Sequence, residues 1–258
     1  MMRVFLLSLL LVATALPRMA MAADVPKQVR ACADTNDFPP YTYRSRKEAK
    51  DVMGYNADYL RQLLAPQGRT LSITQLPWKR CLADTMAGLY DVVLDAAGTP
   101  ERQRQFHLAR SHYAVTPIIL FDRRRPPPPV ANPNELTQLT RCEVLGWDYS
   151  GAGVTAASVP VSAPTTAASA LNMLRAGRCQ VMLYDLELLH GLQLVGDDAL
   201  AEGLDYRPVS WVPTYRMHVG VSRKVPYAWD LLRMLDRGVE RMEQEGAGAR
   251  ILARHIPH

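Results

Sequence analysis

Twice along this chain strands alternate with helices, and each time the alternation stops at an extended, proline-bearing stretch. Such alternation leads to a mostly parallel sheet flanked by helices, because a strand returning in the same direction must cross over through another element. The first run predicts strands over residues 27–33, 71–76 and 92–94, and helices over 54–66 and 80–87. Within the first helix Tyr55, Tyr59, Leu60, Leu63 and Leu64 recur at the spacing of one buried face. An extended apolar segment, 113–121, then runs into Asp122-Arg123-Arg124-Arg125 and four prolines, which read as a stiff solvated connection rather than a nucleic-acid patch.

The second run predicts strands over 141–147 and 179–184 and helices over 165–176 and 185–194. The chain is extended again over 207–214, and a short strand, 217–221, and an amphipathic helix, 227–243, precede a basic tail. Connections near 122–130 and 208–216 divide the molecule into two lobes, residues 23–122 with 216–258 and residues 123–215. A chain that crosses twice leaves a cleft, and clefts facing the carboxyl ends of parallel strands are where small ligands bind.

The first residues say where such a cleft works. Arg3 precedes an apolar run over 4–16, and Ala20-Met21-Ala22 places small residues where a signal peptidase reads them. Residues 1–22 are expected to be a signal peptide cleaved after Ala22, giving a periplasmic protein. A run of roughly 13 residues is short of the ~20 that span a bilayer, and no cysteine at the cleavage site invites lipid anchoring. Losing Arg3 and Arg18 lowers the formal charge from +5 to +3, too small an excess to argue for nucleic acid. The remaining cysteines, Cys32, Cys81, Cys142 and Cys179, are an even number for an oxidising compartment and allow three pairings. None forms a close C-x-x-C pair, so disulfides are expected rather than a metal site.

Residues 77–102 carry the chemistry. A helix, a buried strand and the loop Gly98-Thr99-Pro100-Glu101-Arg102 open a second helix with an arginine in its first turn, an arrangement that offers backbone N–H groups and a guanidinium to a small anion. Phe38-Pro39-Pro40-Tyr41, Gly54-Tyr55-Asn56-Ala57-Asp58, the Gly88, Asp91, Thr99 and Arg102 pattern, and the strand 177–185 ending in Asp185 occur in order over nearly the whole processed chain. Together they resemble the extracellular solute-binding proteins of family 3, the type II periplasmic binding proteins that serve polar amino-acid transporters.

The resemblance implies a two-lobed α/β fold, no cofactor, a monomer, and a small-molecule solute delivered to a membrane permease or read by a sensor. It implies that Arg102 grips a carboxylate, that Asp185 meets an ammonium, and that Phe38, Tyr41 and Trp78 wall the ligand. A guanidinium meets a carboxylate through two parallel hydrogen bonds, and aromatic faces attract cations. It also implies Cys32–Cys81 and Cys142–Cys179, one bridge per lobe, since a bridge between lobes would obstruct hinge closure.

Each residue also has a purely structural reading. Thr99 before Pro100 is a good helix cap, Asp185 can cap the helix that follows it, Arg102 can pair with Glu101, and Trp78 can pack over a disulfide. The chain departs from the family in two places. Asp95-Ala96-Ala97 stands where small hydroxyl residues are usual, so Asp95 is expected to neutralise Arg102, repel an anion or receive a cation. Gly146-Trp147-Asp148-Tyr149-Ser150-Gly151 replaces a Gly-Thr loop, leaving Ser150 as the substitute contact. Two other uses of the cleft stand beside capture: a cyclohexadienyl dehydratase-like enzyme with Asp95 and Asp185 as an acid/base pair joined by His107 or His112, and a ligand sensor or assembly partner. His190 and His218 read as structural.

Overall fold

A computed structural model describes residues 24–44, 51–154 and 162–256. The expected signal segment and Ala23 lie outside the described residues. The first part of the chain forms β1 (Gln28–Asp34), β2 (Tyr43–Arg44), β3 (Val52–Met53), α1 (Tyr55–Leu64), β4 (Thr70–Leu76), α2 (Trp78–Met86), β5 (Val92–Ala97), α3 (Pro100–Gln105), β6 (Phe106–Leu108) and β7 (Tyr113–Val115). The middle forms β8 (Pro117–Asp122), α4 (Pro133–Thr137), β9 (Arg141–Cys142), α5 (Ala167–Arg175), β10 (Val181–Asp185), α6 (Leu186–Gly191) and β11 (Leu204–Pro208). The chain closes with β12 (Tyr215–Ser222), α7 (Ala228–Gln244) and α8 (Ala247–Leu252).

Two sheets result. One has the order β4-β1-β5-β12-β6, with β7 also on β12; the other has the order β11-β8-β10-β9. In the first, β1 is parallel to β4 and β5, and β12 is antiparallel to β5, β6 and β7. In the second, β9 and β10 are parallel, and β8 is antiparallel to both β10 and β11. By direction each sheet therefore has a single reversed strand, β12 in one and β8 in the other. These are the strands by which the chain enters from the other sheet, so the reversal is the mark of the double crossing.

The crossings fix the correction to the expected boundaries. Residues 113–121 read as one strand, but β7 belongs to the first sheet and β8 to the second, with Thr116 between them. The first passage is thus at Thr116 and not near 122–130, and residues 117–122 sit in the second sheet. A run that is apolar on both sides of the break hides it, while Pro117, lacking an N–H, starts a new strand rather than continuing one. The proline-bearing stretch stays with the second sheet, where Arg207 donates to the Pro127 carbonyl at 2.9 Å. The second passage, between β11 and β12, falls within the expected 208–216. The expected strand 141–147 stops at Cys142, and the chain then turns at Gly146, whose φ is 95°.

Packing follows the amphipathic pattern. The inward face of α1, with Tyr59, Leu60, Leu63 and Leu64 buried, packs on α7 and α8, which returns the end of the chain to the first sheet. Gly238 allows that approach, since a Cβ there would sit 2.3 Å from Leu63 Cγ. The second sheet buries Ile119, Val181 and Leu183 against Leu136 and Val212. Disulfides join Cys32 to Cys81 and Cys142 to Cys179, each with a Cα separation of 5.6 Å and each within one sheet and its helices, as the resemblance implied.

The bridges join cysteines 49 and 37 positions apart. Replacing both cysteines of either pair by alanine is expected to lower the unfolding free energy by about 2–4 kcal/mol, by restoring loop freedom to the unfolded chain. Urea titration of each double variant against the oxidised protein measures it, and a midpoint unchanged for both would show that neither bridge constrains the unfolded state.

Candidate functional site

Asp185 ends β10 and stands at the cap position of α6, yet its side chain makes no capping bond. It accepts a hydrogen bond from the hydroxyl of Tyr215 at 2.6 Å. Tyr215 opens β12, so a carboxylate of the second sheet meets the first sheet just beyond the crossing. Only 6% of Asp185 is exposed. Burial pushes its carboxyl up to about 7, the Tyr215 bond opposing and the nearby charge of Glu187 assisting.

Arg102 lies in α3, which Thr99 opens as a true cap: its Oγ1 accepts from the Arg102 N–H at 3.3 Å, and Pro100 follows at the first helical position. The Arg102 side chain is 7% exposed. It donates to Gln105 Oε1 at 2.6 Å, reaches Glu101 at 3.5 Å, and holds its guanidinium 5.9 Å from the centre of the Trp78 ring. The expected Glu101 pair exists but is the longer of these two polar contacts.

Arg102 and Asp185 line one chamber of about 80 Å³, together with Phe38, Trp78, Trp147 and the carboxylates Asp34, Asp95 and Asp148. A second chamber of about 660 Å³ adjoins it and shares Ala97, Trp147, Asp148, Asp185 and Tyr215. Thr99 and Ser150 are on the wall of the larger chamber. Four carboxylates and one guanidinium line the smaller one, and burial raises three of those carboxyls, Asp34, Asp95 and Asp185.

Asp95 reaches its place through a backbone irregularity. Between β5 and β12 the register slips, two residues of β5 opposing one of β12, and Asp95 adopts φ 55°, the left-handed region that aspartate tolerates better than most residues. Its Oδ1 accepts from Asn56 at 2.9 Å and from the Tyr113 hydroxyl. Burial raises its pKa against those bonds. Asn56 also meets His112 Nε2 at 2.8 Å, and burial lowers that histidine to about 3.

Other expected residues are placed differently. Tyr41 is not on either chamber wall: it is 2% exposed, stacked on Tyr113 at 4.0 Å, with its hydroxyl on the Ala114 carbonyl. Its ring belongs to the core beneath the site, because β7 brings Tyr113 against it. The Ser150 hydroxyl is committed to Asp148 at 2.6 Å. Burial works to raise the Asp148 carboxyl, but bonds from Ser150 and Thr99 and the charge of Arg102 prevail and hold it below its usual value. His107 packs on Trp229 at 4.1 Å, away from both chambers, and His218 lines the larger chamber with Nδ1 on the Ala109 carbonyl at 2.7 Å. Among the described residues no group of three His, Cys, Asp or Glu is placed to hold a metal ion.

Contacts that motif reading missed join the two sheets. Trp147 donates from Nε1 to Asp34 at 3.1 Å, and its ring stands edge-on to Phe38. Asn36 accepts from Ala167 N–H at the start of α5 and donates to the Thr165 carbonyl. A conspicuous tryptophan in a glycine-bracketed loop was the signal available; its partner, 113 residues away, was not.

The sequence profile of the bacterial extracellular solute-binding proteins, family 3, matches residues 31–258. Solved structures share the fold. An amino-acid ABC transporter substrate-binding protein from Streptococcus pneumoniae, bound to L-arginine, superposes with a TM-score of 0.73 at 13% identity, over 89% of this chain and 94% of that one. A histidine kinase sensor domain similar to periplasmic binding proteins gives 0.73 at 21% identity, over 89% and 96%. An ancestral amino-acid-binding protein, a precursor of cyclohexadienyl dehydratase, gives 0.70 at 15%, over 90% and 96%. No curated protein sequence matches the chain. Among the described residues no helix is long and apolar enough to cross a membrane.

Asp185 predicts a pH effect of definite sign. The unfolded chain loses this proton near pH ~3.9, whereas the folded chain keeps it to about pH 7. The native state then holds more protons across that window, so this group's contribution to stability falls as pH rises from about 4 to 7 and levels above. Asp185→Asn should leave stability unchanged at pH 4 and raise it at pH 8, by at most about 4 kcal/mol. Chemical denaturation at the two pH values checks it; an Asn variant that is less stable at pH 8 contradicts the desolvated carboxylate.

Proposed function

The chain belongs to the bacterial extracellular solute-binding proteins of family 3, and from that premise we propose that it captures a small polar, amino-acid-like solute in the periplasm for an ABC-type permease. One observation carries the reading: a buried guanidinium and a buried carboxylate, from elements flanking different sheets, line the same chamber. Arg102 would take the solute's carboxylate with the free edge of its fork. Asp185 would take its ammonium, while Phe38, Trp78 and Trp147 enclose it.

Hinge closure follows from the same contacts. A solute held by one lobe gains contacts from the other only in the closed form, so it stabilises that form by its differential affinity. The bonds Trp147–Asp34 and Asn36–Ala167 close beside the chamber and complete it. A transporter partner then reads the closed shape. A sensor would use the same closure, a use favoured by the likeness to a kinase sensor domain, and is distinguished by what the closed protein docks to. Turnover of a bound solute would instead mark the chain as a cleft enzyme.

A thermal-shift screen of amino acids, polyamines, organic acids and aromatic metabolites should identify the solute, since ligand at a hundredfold excess over Kd stabilises by about 2.7 kcal/mol. Arg102→Ala and Asp185→Ala should each weaken the hit by about 2–5 kcal/mol in calorimetry, leaving a charged partner buried and unpaired. Unchanged affinity in both variants ends the amino-acid reading. Because Asp185 must release its proton to receive an ammonium, wild-type affinity should rise from pH 5 to about 7 and then level.

A further inference from the structure

We propose that the solute has two parts, an ammonium-bearing head in the smaller chamber and a bulky, mainly apolar arm in the larger one, so that its class is a long-chain or aryl-substituted α-amino acid rather than a short polar one. The proposal rests on the reading of Arg102 and Asp185 given above and adds what lies beside them.

Size is the first argument. The chamber between Arg102 and Asp185 measures about 80 Å³, where ~10–15 Å³ on the same measure holds a water. It has room for a charged head and is much the smaller of the two. The adjoining chamber measures about 660 Å³, in the range of pockets that hold drug-sized ligands, roughly 300–1,000 Å³. The two share Asp185, Trp147 and Tyr215 as lining, so the larger space lies immediately beside the head.

Wall chemistry is the second argument. Ala97 from β5, Pro117 from β8, Leu183 from β10, and Val212 and Pro213 from the second crossing present carbon to the chamber. Both sheets and a crossing supply that surface, so an apolar arm would bury area on both lobes at once and add to closure. Short polar side chains would leave it wet. Arg216 and His218 are also on its wall, but the Nδ1 of His218 is already bonded to a backbone carbonyl.

Tyr184 also lines the larger chamber; its hydroxyl oxygen is buried, so what it offers that wall is ring carbon.

The test is a homologous series. Calorimetry with alanine, norvaline, norleucine, 2-aminooctanoic acid and 2-aminodecanoic acid, alongside arginine and lysine, should show affinity climbing about fourfold per added methylene to the eight- or ten-carbon member. Affinity that peaks at arginine, lysine or norvaline and falls with longer chains overturns the two-part solute while leaving the head site standing. No binding by any member overturns both.

A variant guards against binding elsewhere. Gly151 lines the larger chamber, and a Cβ built there meets nothing within 4 Å, so Gly151→Phe adds bulk at the chamber's rim without displacing the chain. It should weaken the eight-carbon member at least tenfold more than norvaline, with an unchanged melting temperature in the absence of ligand. Equal effects on both, or none on either, would place the arm outside this chamber and sink the proposal.

Discussion

A carboxylate taken out of water must be paired, hydrogen-bonded or neutralised, and everything distinctive about this molecule is arranged around one that is only partly relieved. Asp185 has a phenolic hydroxyl but no cation at hydrogen-bond distance among the described residues, and burial has moved it toward its neutral form. On the same chamber a guanidinium is buried against Trp78 and Gln105. Each charge is tolerable alone because it has some local relief. Together they are what carries the proposed capture of a zwitterion.

The double crossing is what brings those groups together, and the start of α6 connects the two. Asp185 touches Tyr215, the first residue after the second crossing. Two residues on, Glu187 accepts from both the backbone N–H and the hydroxyl of Thr116, the residue of the first crossing, at 2.8 and 2.9 Å. Thr116 in turn stands 3.5 Å from the Thr214 hydroxyl. One helical turn therefore contacts the chamber and both crossings. Under the proposed capture of a solute, a change of charge at Asp185 would be felt next to both crossings.

Much of this was legible because the signals are local. The Thr99-Pro100 cap predicted the start of α3, the apolar spacing predicted α1, and the strand ending in Asp185 was placed correctly by its motif. What escaped depended on partners distant in sequence. The break at Thr116 lies inside an apolar run and is visible only once β7 and β8 are seen to pair with different sheets. Tyr41 resembles a binding aromatic by its loop, but Tyr113 draws it into the core. The bulge at Asp95 needs β12 beside β5 before an extra residue has meaning, and nothing near Asp34 announces that Trp147 will reach it.

Four departures from local rules fall together. Asp95 takes a left-handed backbone without being glycine, Asp185 stands at a helix cap without capping it, Arg102 is a buried cation, and the Tyr184 hydroxyl is buried without a partner. A sequence selected only for folding removes such features: an unstrained residue at 95 and an apolar one at 184 would each be less costly. All four residues sit on the walls of two adjoining chambers. That four such features, with aromatic rings from both sheets beside them, share one place is what the proposed capture of a solute accounts for and folding alone does not.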